Sequence, residues 1–352
     1  MNLDKLESQL KKLGVRKNVQ LAQYTTWKVG GPADLFLEVD STDDLIMAVK
    51  EAHKHAVPVT VLGWGSNVLI SDEGIRGLIV RNKSSRIDIK GECKHPHSKK
   101  ATHPRLVQVD TENYYSFSEV DYEESETQLT EVVIDSGVSL QLAINKLINE
   151  GLTGLQWFSG IPGTIGGAII NNIHGGTHFI EEYVGSVEIL TASGDVEALS
   201  HDKLGFDYDS SRFQNSDEVV LRVTFCLHRG DKDKAKKAAV EWATKKQLQP
   251  HNTAGCCFQN ITPEKQTELK LESNGWGYII DQVLNLKGKS IGGAMISPKH
   301  AAFIENTGGA TAQDILGLFE LIFIESEKTL GITPKAEIFF LGFPDEVVRK
   351  FR

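Results

Sequence analysis

The chain has 352 residues, enough for roughly two or three domains of ordinary size. Hydrophobic residues make up 40 % and charged residues 24 %, a balance typical of globular proteins rather than of disordered or fibrous ones. The formal net charge is -9, and no block rich in lysine or arginine offers a surface for phosphate groups. The composition therefore argues against nucleic acid as a partner.

The N-terminal segment and the cysteines bear on localisation. Residues 1–18 have the pattern of a charged amphipathic helix, and no later run approaches the ~20 apolar residues that span a bilayer. Cysteines occur at positions 93, 226, 256 and 257, which is too irregular for the disulfide framework of a secreted protein. We therefore expect a cytoplasmic protein with reduced cysteines and no membrane partner.

The first elements in chain order are a strand, a helix and a second strand. Apolar runs at 35–39 and 57–62 predict the two strands, and apolar residues at helical spacing within 45–52 predict the helix between them. Ser41 or Thr42 is placed to cap the N-terminus of that helix. The second strand leads directly into a glycine-rich segment.

The segment from Lys83 to Leu227 is rich in short β-like runs, with one clear helix. That helix is predicted from about Ser139 to Glu150, and Gly151 follows it at the position where glycine commonly ends a helix. Strands are predicted at the apolar runs 106–109, 131–134, 187–190 and 219–227.

Residues from about 90 to 128 interrupt this pattern with a polar, irregular stretch that predicts an inserted loop or flap. Cys93, His95, His97 and His103 lie in this stretch. Their spacing fits no standard zinc site, so we expect no metal there.

The last third is predicted to contain two long helices and a closing strand. A lysine-rich helix occupies 231–247, and a second helix occupies 311–331. The second helix carries an apolar stripe that predicts core packing rather than cofactor contact, formed by Ile315, Leu318, Phe319, Ile322 and Phe323. The strand is predicted over Ala336 to Leu341.

Two glycine-rich stretches carry the strongest functional signal, "LGWGSNVLISD" at 62–72 and "GIPGTIGGAIINN" at 160–172. Glycine lets backbone amides approach a ligand closely and point together at an anion such as a diphosphate. Neither stretch has the spacing of a Rossmann or P-loop motif. One such stretch alone is compatible with an ordinary tight turn, whereas two together favour a nucleotide cofactor site.

Six segments in the same order resemble the UDP-N-acetylenolpyruvoylglucosamine reductase family, in its shorter type II form. They cover most of the chain outside the insertion: "YTTWKVGGPADLFLEV" (24–39), "VLGWGSNVLISDEGIRGLIVRN" (61–82), "GLTGLQWFSGIPGTIGGAIINN" (151–172), "TAGCCFQN" (253–260), "IGGAMISPKHAAFIENTGGATAQDIL" (291–316) and "AEIFFLG" (336–342). The resemblance implies an α+β fold, with a two-subdomain FAD-binding region of the vanillyl-alcohol-oxidase (PCMH-like) type and a C-terminal α+β substrate domain. We place these parts at 1–82, at 83–227 with the insertion, and at 228–352.

The resemblance also implies a reaction and its cofactors. NADPH would reduce FAD, and the enolpyruvyl double bond of UDP-GlcNAc-enolpyruvate would then be reduced to UDP-N-acetylmuramate, a precursor of peptidoglycan. We expect a monomer that binds these small molecules. The FAD contacts carried over by the match are Gly63, Trp64, Gly65, Ser66, Asn67, Val68, Ile161, Pro162, Gly163, Thr164 and Gly167.

The family's proton donor is a serine in "AGSxFKNP", and that position is Cys256 here, followed by Cys257. A thiol has an unperturbed pKa of ~8.5, so it remains mostly protonated at neutral pH and is able to deliver a proton. Packing of two small hydrophobic residues in a core is the alternative explanation of the cysteine pair. Within the matching motif, we expect Cys256 to be the acid that donates the proton and Cys257 to occupy the variable position behind it.

Other matched positions predict substrate contacts. Glu337 falls on the glutamate of "PEVxxxG", which implies a hydrogen bond to the substrate carboxylate; a solvated strand end is the alternative. Tyr208 and Asn260 are predicted to contact the substrate. His300 matches a family histidine, for which we expect a structural role.

One position departs from the family. "YRxSxF" becomes Tyr208-Asp209-Ser210-Ser211-Arg212-Phe213, so Asp209 replaces the arginine. A carboxylate there repels the negative charge that develops on the substrate. Arg212, or a lysine such as Lys245 or Lys246, is a candidate replacement cation. The alternatives to the family reaction are a flavin-binding relative with altered or lost activity and an FAD-dependent oxidase of the same fold.

Overall fold

A computed structural model describes residues 2–94, 122, 124 and 128–352. His95, His97, His103 and the apolar run at 106–109 lie outside the described residues. The helices are α1 (Leu3–Leu10), α2 (Thr42–Lys54), α3 (Leu140–Asn149), α4 (Ile165–Ile170), α5 (Lys232–Gln247), α6 (Pro263–Glu268), α7 (Trp276–Tyr278), α8 (Ala312–Leu330) and α9 (Asp345–Phe351). Within the described ranges, none of these helices has the length and apolar character needed to cross a membrane.

The strands alternate with these helices along the chain. They are β1 (Arg16–Gln20), β2 (Pro32–Val39), β3 (Val59–Leu62), β4 (Val68–Ile70), β5 (Ile75–Asn82), β6 (Ile87–Glu92), β7 (Leu129–Asp135), β8 (Leu152–Thr153), β9 (His174–Gly175), β10 (His178–Phe179), β11 (Val184–Leu190), β12 (Val196–Ser200), β13 (Val219–Arg229), β14 (Ser290–Ile291), β15 (Ala294–Ile296), β16 (Ile304–Asn306) and β17 (Phe339–Leu341).

The first sheet has the order β1-β2-β5-β3, and β5 pairs in parallel with both β2 and β3. Helix α2 connects β2 to β3, as predicted, and buries Leu45 and Val49 against the sheet. Ser41 is the N-cap, since its hydroxyl oxygen accepts from the amide of Asp44 at 3.1 Å. The sheet ends at the first glycine segment, which joins β3 to β4.

The second sheet is antiparallel, with the order β12-β11-β13-β7-β6 and β8 beside β13. Its predicted strands at 131–134, 187–190 and 219–227 lie within β7, β11 and β13. The predicted helix at 139–150 is α3, which packs with α5 over a core that includes Trp157 and Phe225. The second glycine segment leads from this core into α4.

The C-terminal part combines β14-β15-β16 with α8, whose stripe residues Ile315, Leu318, Phe319 and Ile322 are fully buried. Phe323 is only partly buried. The predicted strand at 336–341 is wrong in its first half, because only Phe339–Leu341 is a strand. Ala336 instead forms an isolated bridge with Phe258, and β17 pairs in parallel with β4. This strand pairing joins the C-terminal segment to the strand that follows the first glycine loop.

The cysteines differ from the expectation of four reduced thiols. Cys93 and Cys226 form a disulfide, although 133 positions separate them in the sequence. Cys93 follows β6, and its amide donates to the carbonyl of Leu129 at 2.8 Å. Leu129 begins β7, which also pairs with β13, the strand that contains Cys226. Cys256 and Cys257 are free. Sequence spacing did not indicate this pairing because it depends on strand order in the sheet.

Candidate active site

The first glycine loop, residues 63–67, is held by backbone contacts that need glycine. Gly65 has φ +62°, and a Cβ there would collide with the carbonyl oxygen of Tyr24. The carbonyl of Gly65 accepts from the amide of Thr26 at 3.1 Å. The loop therefore folds tightly against the segment before β2, and its remaining surface faces the second glycine loop.

The two glycine loops contact each other. Ser66 donates its hydroxyl hydrogen to the carbonyl of Pro162 at 2.7 Å, and a Cβ on Gly63 would lie 2.6 Å from Oγ1 of Thr164. Thr164 caps α4, since its hydroxyl oxygen accepts from the amide of Gly167 at 3.3 Å. A Cβ on Gly163, at φ +155°, would have only Ser66 within 4 Å. The backbone of Gly163 is therefore left largely uncovered where the two loops face each other.

A cavity of about 190 Å³ lies beside these loops, between the two sheets' ends. Trp64 and Leu142 are exposed by 48 % and 53 % and form its rim. Arg81 and Lys83 also line it, and both are paired with Glu38. Among the described residues that line it, none is acidic. The Gly63 backbone beside the exposed Trp64 ring is suited to one part of a nucleotide cofactor such as FAD.

The remaining predicted FAD residues lie around the same loops. Asn67 joins three segments: its side-chain amide donates to Oδ1 of Asn171 at 3.2 Å and to the carbonyl of Glu337 at 3.3 Å. Val68 begins β4, and Ile161 packs against the core of the second sheet. Asn171 was not singled out from the sequence, although it lies within the second glycine-rich stretch.

Cys256 and Glu337 meet because two distant segments run side by side. The amide of Glu337 donates to the carbonyl of Cys257 at 2.9 Å, and the amide of Gln259 donates to the carbonyl of Lys335 at 2.9 Å. With the bridge between Phe258 and Ala336, these contacts fix the "GCCFQ" and "KAEI" segments in register. The two predicted catalytic residues therefore lie close together in space, although they are far apart in the sequence.

The two adjacent cysteines have opposite environments. Cys257 is completely buried, in a core that includes Trp27 and Phe258, and its amide donates to the carbonyl of Ala302 at 2.9 Å. Cys256 instead lies within electrostatic range of Glu337, Lys246 and Asp209. Burial raises the pKa of the Cys256 thiol to about 12, with a further increase from Glu337. The thiol is therefore protonated at neutral pH, and it is a weaker acid than the sequence predicted.

Glu337 belongs to the same electrostatic cluster. Burial raises the pKa of its carboxyl group well above the ordinary value, and Asp209 raises it further, whereas Lys246 lowers it. This environment favours the protonated form of the carboxyl group, which is able to donate a hydrogen bond. Glu337 therefore lies within a cluster of titratable groups rather than at a solvated strand end.

Lys246 reaches the cluster from the last turn of α5. Its side chain lies against the second glycine loop, where a Cβ on Gly160 would come 2.8 Å from the lysine Cβ. Burial lowers the pKa of Lys246, and the nearby Cys256 and Glu337 oppose that change. The structure therefore brings a lysine, a thiol and a carboxyl group together.

Asp209 is buried, at 5 % exposure, with its backbone in the left-handed region at φ +49°. The side-chain amide of Gln214 donates to its carbonyl at 2.8 Å, and Oδ1 lies 3.5 Å from Nε2 of His174. Tyr208, beside it, is 6 % exposed and packs with the rings of His174 and Phe179. His174 was not predicted from the sequence; its only signal was its position just after the second glycine-rich stretch.

Arg212 does not join this cluster in the structure. Its guanidinium donates to both oxygens of Glu218, at 2.7 and 3.1 Å, and to the carbonyl of Lys203 at 3.1 Å. Lys246, which the sequence offered as an alternative cation, lies where Arg212 was expected to reach. The geometry therefore favours Lys246, because Arg212 is already paired elsewhere.

Two further predicted positions lie at the edge of the cluster. Asn260 follows the "CCFQ" segment, and its side-chain oxygen lies near Gly275, where a Cβ would come within 3.6 Å. His300 accepts through Nδ1 from the amide of Ala302 at 3.2 Å, and burial lowers its pKa to about 4. His300 is therefore neutral at pH 7 and shapes the turn that holds Cys257.

Among the described residues, no group of His, Cys, Asp and Glu forms a metal site.

The fold and the facing glycine loops define an FAD-dependent oxidoreductase. A family model described as "FAD binding domain" matches residues 98–200, and the model for the C-terminal domain of UDP-N-acetylenolpyruvoylglucosamine reductase matches residues 247–341.

Whole-chain comparisons agree with these matches. UDP-N-acetylenolpyruvoylglucosamine reductase of Caldanaerobacter subterraneus subsp. tengcongensis is 31 % identical over 97 % of this chain and 98 % of its own length. The Chlamydia muridarum enzyme of the same name is 33 % identical over 94 % and 95 %. The crystal structure of the Thermus caldophilus enzyme superposes with a TM-score of 0.67 at 27 % identity, covering 93 % of this chain and 99 % of that one. The chain belongs to the UDP-N-acetylenolpyruvoylglucosamine reductase family.

Proposed function

We propose that this protein reduces the enolpyruvyl double bond of UDP-GlcNAc-enolpyruvate to give UDP-N-acetylmuramate, with NADPH as the reductant. Family membership along nearly the whole chain supports this proposal. The observation that carries it is the meeting of Cys256 and Glu337 beside the two glycine loops. Bound FAD supplies the hydride transfer from NADPH to the double bond.

Hydride addition to one alkene carbon leaves negative charge on the carbon next to the carboxylate. One proton must then add at that carbon, so that NADPH becomes NADP⁺ and the double bond gains one hydride and one proton in total. Cys256 is the proton donor in our proposal, because its thiol keeps its proton until a strongly basic carbon develops beside it. The high pKa of the thiol limits its driving force but prevents its loss of the proton in the resting site.

Glu337 and Lys246 divide the task of stabilising the charge. Protonated Glu337 donates a hydrogen bond to the substrate carboxylate as that group gains enolate character. Lys246 is the cation that compensates for the missing arginine, because it faces Cys256 and Glu337 from α5. Tyr208 and Asn260 remain proposed substrate contacts.

The same proposal covers the assignments that rest on sequence alone. We retain the division into parts at 1–82, 83–227 and 228–352, and the FAD contacts in both glycine loops. We also propose that the protein acts in the cytoplasm as a monomer, where UDP-linked precursors and NADPH are available.

The direct test is an anaerobic visible spectrum of the purified flavoprotein before NADPH, after NADPH, and after UDP-GlcNAc-enolpyruvate. We expect the flavin absorbance to fall with NADPH and to recover with the substrate. Loss without recovery would contradict the proposed reaction and favour a flavin-binding relative with lost or altered activity. Recovery with oxygen at turnover rate, but not with the enolpyruvyl substrate, would instead identify an oxidase.

A further inference from the structure

Helix α8 begins beside the segment that follows the first glycine loop. That loop leads through β4 to Asp72, whose side chain lies at the first turn of α8. Oδ1 of Asp72 accepts from the amide of Ala312 at 2.8 Å, and Oδ2 accepts from the amide of Gln313 at 3.0 Å. One carboxylate thus joins the chain just after the first glycine loop to a helix of the C-terminal part.

The N-terminus of α8 satisfies only half of its amides by itself. The first four amides of an α-helix have no acceptor within the helix backbone. Two of them are satisfied in a capping box, where Oγ1 of Thr311 accepts from the amide of Asp314 at 3.0 Å and Oδ2 of Asp314 accepts from the amide of Thr311 at 2.9 Å. Asp72 accepts from the other two. Its carboxylate therefore completes the start of the helix from another part of the chain.

Helix α8 in turn supports the segments that carry Cys256 and Glu337. The ring centroid of Phe319, on α8, lies 4.8 Å from that of Phe258 and 5.5 Å from that of Phe340. Phe258 is two residues beyond Cys256, and Phe340 is three residues beyond Glu337. The three rings are buried in one core. Since such a core is closely packed, a shift of α8 also shifts both segments.

The same core is attached near the first glycine loop at two other places. The indole nitrogen of Trp27 donates to the carbonyl of Ile304 at 2.7 Å, and the side-chain amide of Asn306 donates to the carbonyl of Trp27 at 2.8 Å. These bonds fasten β16 to the segment in which the amide of Thr26 donates to the carbonyl of Gly65. The pairing of β4 with β17 fastens the C-terminal strand. The carboxylate bonds to α8 add a third attachment, at the helix.

We propose that Asp72 is a positioning residue, which fixes α8 and thereby the position of the Cys256 segment relative to the first glycine loop. This inference rests on the proposed function. Reduction of the double bond needs the flavin, the substrate and the proton donor within reacting distance at the same time, and misplacement by about 1 Å costs up to about 10²-fold in rate. Asp72 acts through the helix and does not touch the substrate.

Asp72→Ala is compared with Thr311→Ala, which removes an acceptor from the same helix end but leaves the bonds from Asp72 in place. Asp72→Asn is the conservative variant, since it keeps one oxygen acceptor and the size of the side chain. For each holoprotein the melting temperature and the FAD affinity are measured. The rate at which saturating UDP-GlcNAc-enolpyruvate restores flavin colour is measured by stopped flow, well below the melting temperature. Hydrogen exchange of the peptide that contains Cys256 gives a readout without turnover.

Both alanine variants are expected to melt roughly 2–4 °C below the wild type, because each leaves an amide of α8 without its acceptor. Asp72→Ala is also expected to slow the recovery of flavin colour about tenfold to hundredfold and to speed hydrogen exchange around Cys256, with FAD affinity unchanged. Thr311→Ala is expected to stay within about threefold of the wild-type rate, with wild-type exchange around Cys256. Asp72→Asn should lie between Asp72→Ala and the wild type.

Equal recovery rates in Asp72→Ala and Thr311→Ala would overturn the inference, since Asp72 would then act as a helix cap alone. Wild-type hydrogen exchange around Cys256 in Asp72→Ala, or a loss confined to FAD affinity, would overturn it as well. If Asp72→Ala yields no folded protein, Asp72→Asn against Thr311→Ala decides between the same outcomes. Failure of the wild-type protein to recover flavin colour would contradict the proposed function itself, whereas the hydrogen-exchange comparison would still test the attachment through Asp72.

Discussion

The glycine loops and the proposed catalytic cluster of Cys256, Glu337, Lys246 and Asp209 are built in different ways. The loops depend on backbone shape: Gly65 lies against the Tyr24 carbonyl, and Ser66 bonds to Pro162. The cluster depends on charge, because its members are buried or partly buried and change the proton affinity of their neighbours. The loops therefore tolerate few changes of residue type, whereas the cluster tolerates replacements that preserve its charge balance.

Cys256→Ala is expected to give the largest effect on the chemistry. Removing a general acid typically costs about 10²–10⁴-fold in rate, so recovery of flavin absorbance with the enolpyruvyl substrate should fall by that amount. The step with NADPH should be unchanged, because it needs no proton from Cys256. Stopped-flow measurement of both steps checks this outcome.

Cys257→Ala is the matched control for that experiment. Cys257 is completely buried and packs in the core, so its truncation should lower the free energy of unfolding by about 1 kcal/mol while leaving the chemistry intact. Equal loss of the recovery rate in both variants would show that the two thiols do not differ in role. Cys256→Ser should retain part of the rate, since a hydroxyl is also able to transfer a proton.

Lys246→Met is expected to give the next largest effect. The change keeps much of the packing against Gly160 but removes the cation beside Glu337, and we expect recovery of flavin absorbance to slow by about 10–10²-fold. Arg212→Met removes a cation of the same charge that is bound to Glu218. That control should change the rate by less than about threefold. A larger loss with Arg212→Met than with Lys246→Met would reverse our assignment.

Much of the fold follows from local sequence. Ser41 capping α2, the apolar stripe of α8 and the glycine loops all depend on neighbouring residues, and the structure has them where the sequence predicts them. The position of Cys256 in its motif also indicated its place in the site.

Other features depend on contacts that no local pattern contains. The disulfide requires the order of β6, β7 and β13 in the sheet, and the shortened last strand reflects the pairing of Ala336 with Phe258. The choice between Arg212 and Lys246 required knowing that Glu218 already binds the arginine. The contact between His174 and Asp209 was not predicted, because the two residues are 35 positions apart in the sequence.

Substitutions in the glycine loops test whether these loops depend on backbone shape. Gly65→Ala places a Cβ against the Tyr24 carbonyl at a φ of +62°, so we expect the apoprotein to lose about 1–3 kcal/mol of stability. Gly167→Ala lies in α4 with ordinary contact at 3.6 Å, and should stabilise the apoprotein by roughly 0.5–1 kcal/mol. If Gly167 contacts FAD as proposed, its variant should nevertheless bind FAD more weakly.

Urea unfolding of the apoprotein and fluorescence titration with FAD separate these two effects. Wild-type stability in the Gly65→Ala apoprotein would contradict the backbone argument. Unchanged FAD affinity in the Gly167→Ala variant would remove Gly167 from the set of FAD contacts, without affecting the assignment of Gly63 or Gly163.

The smallest expected effect is on the pH dependence of stability. It tests whether the cluster around Glu337 depends on charge. Burial and Asp209 raise the pKa of Glu337 above its ordinary value of 4.5, so the folded protein keeps a proton that the unfolded chain releases. This contribution to stability is fully present below pH 4.5 and is lost as the pH rises toward the raised pKa. The Glu337→Gln variant has no carboxyl proton to lose at this position, so its free energy of unfolding should decrease less as the pH rises above 4.5. Glu320→Gln on the surface of α8, beside Lys350, is the control and should follow the wild-type curve; parallel curves for Glu337→Gln and wild type would place Glu337 outside the coupled cluster.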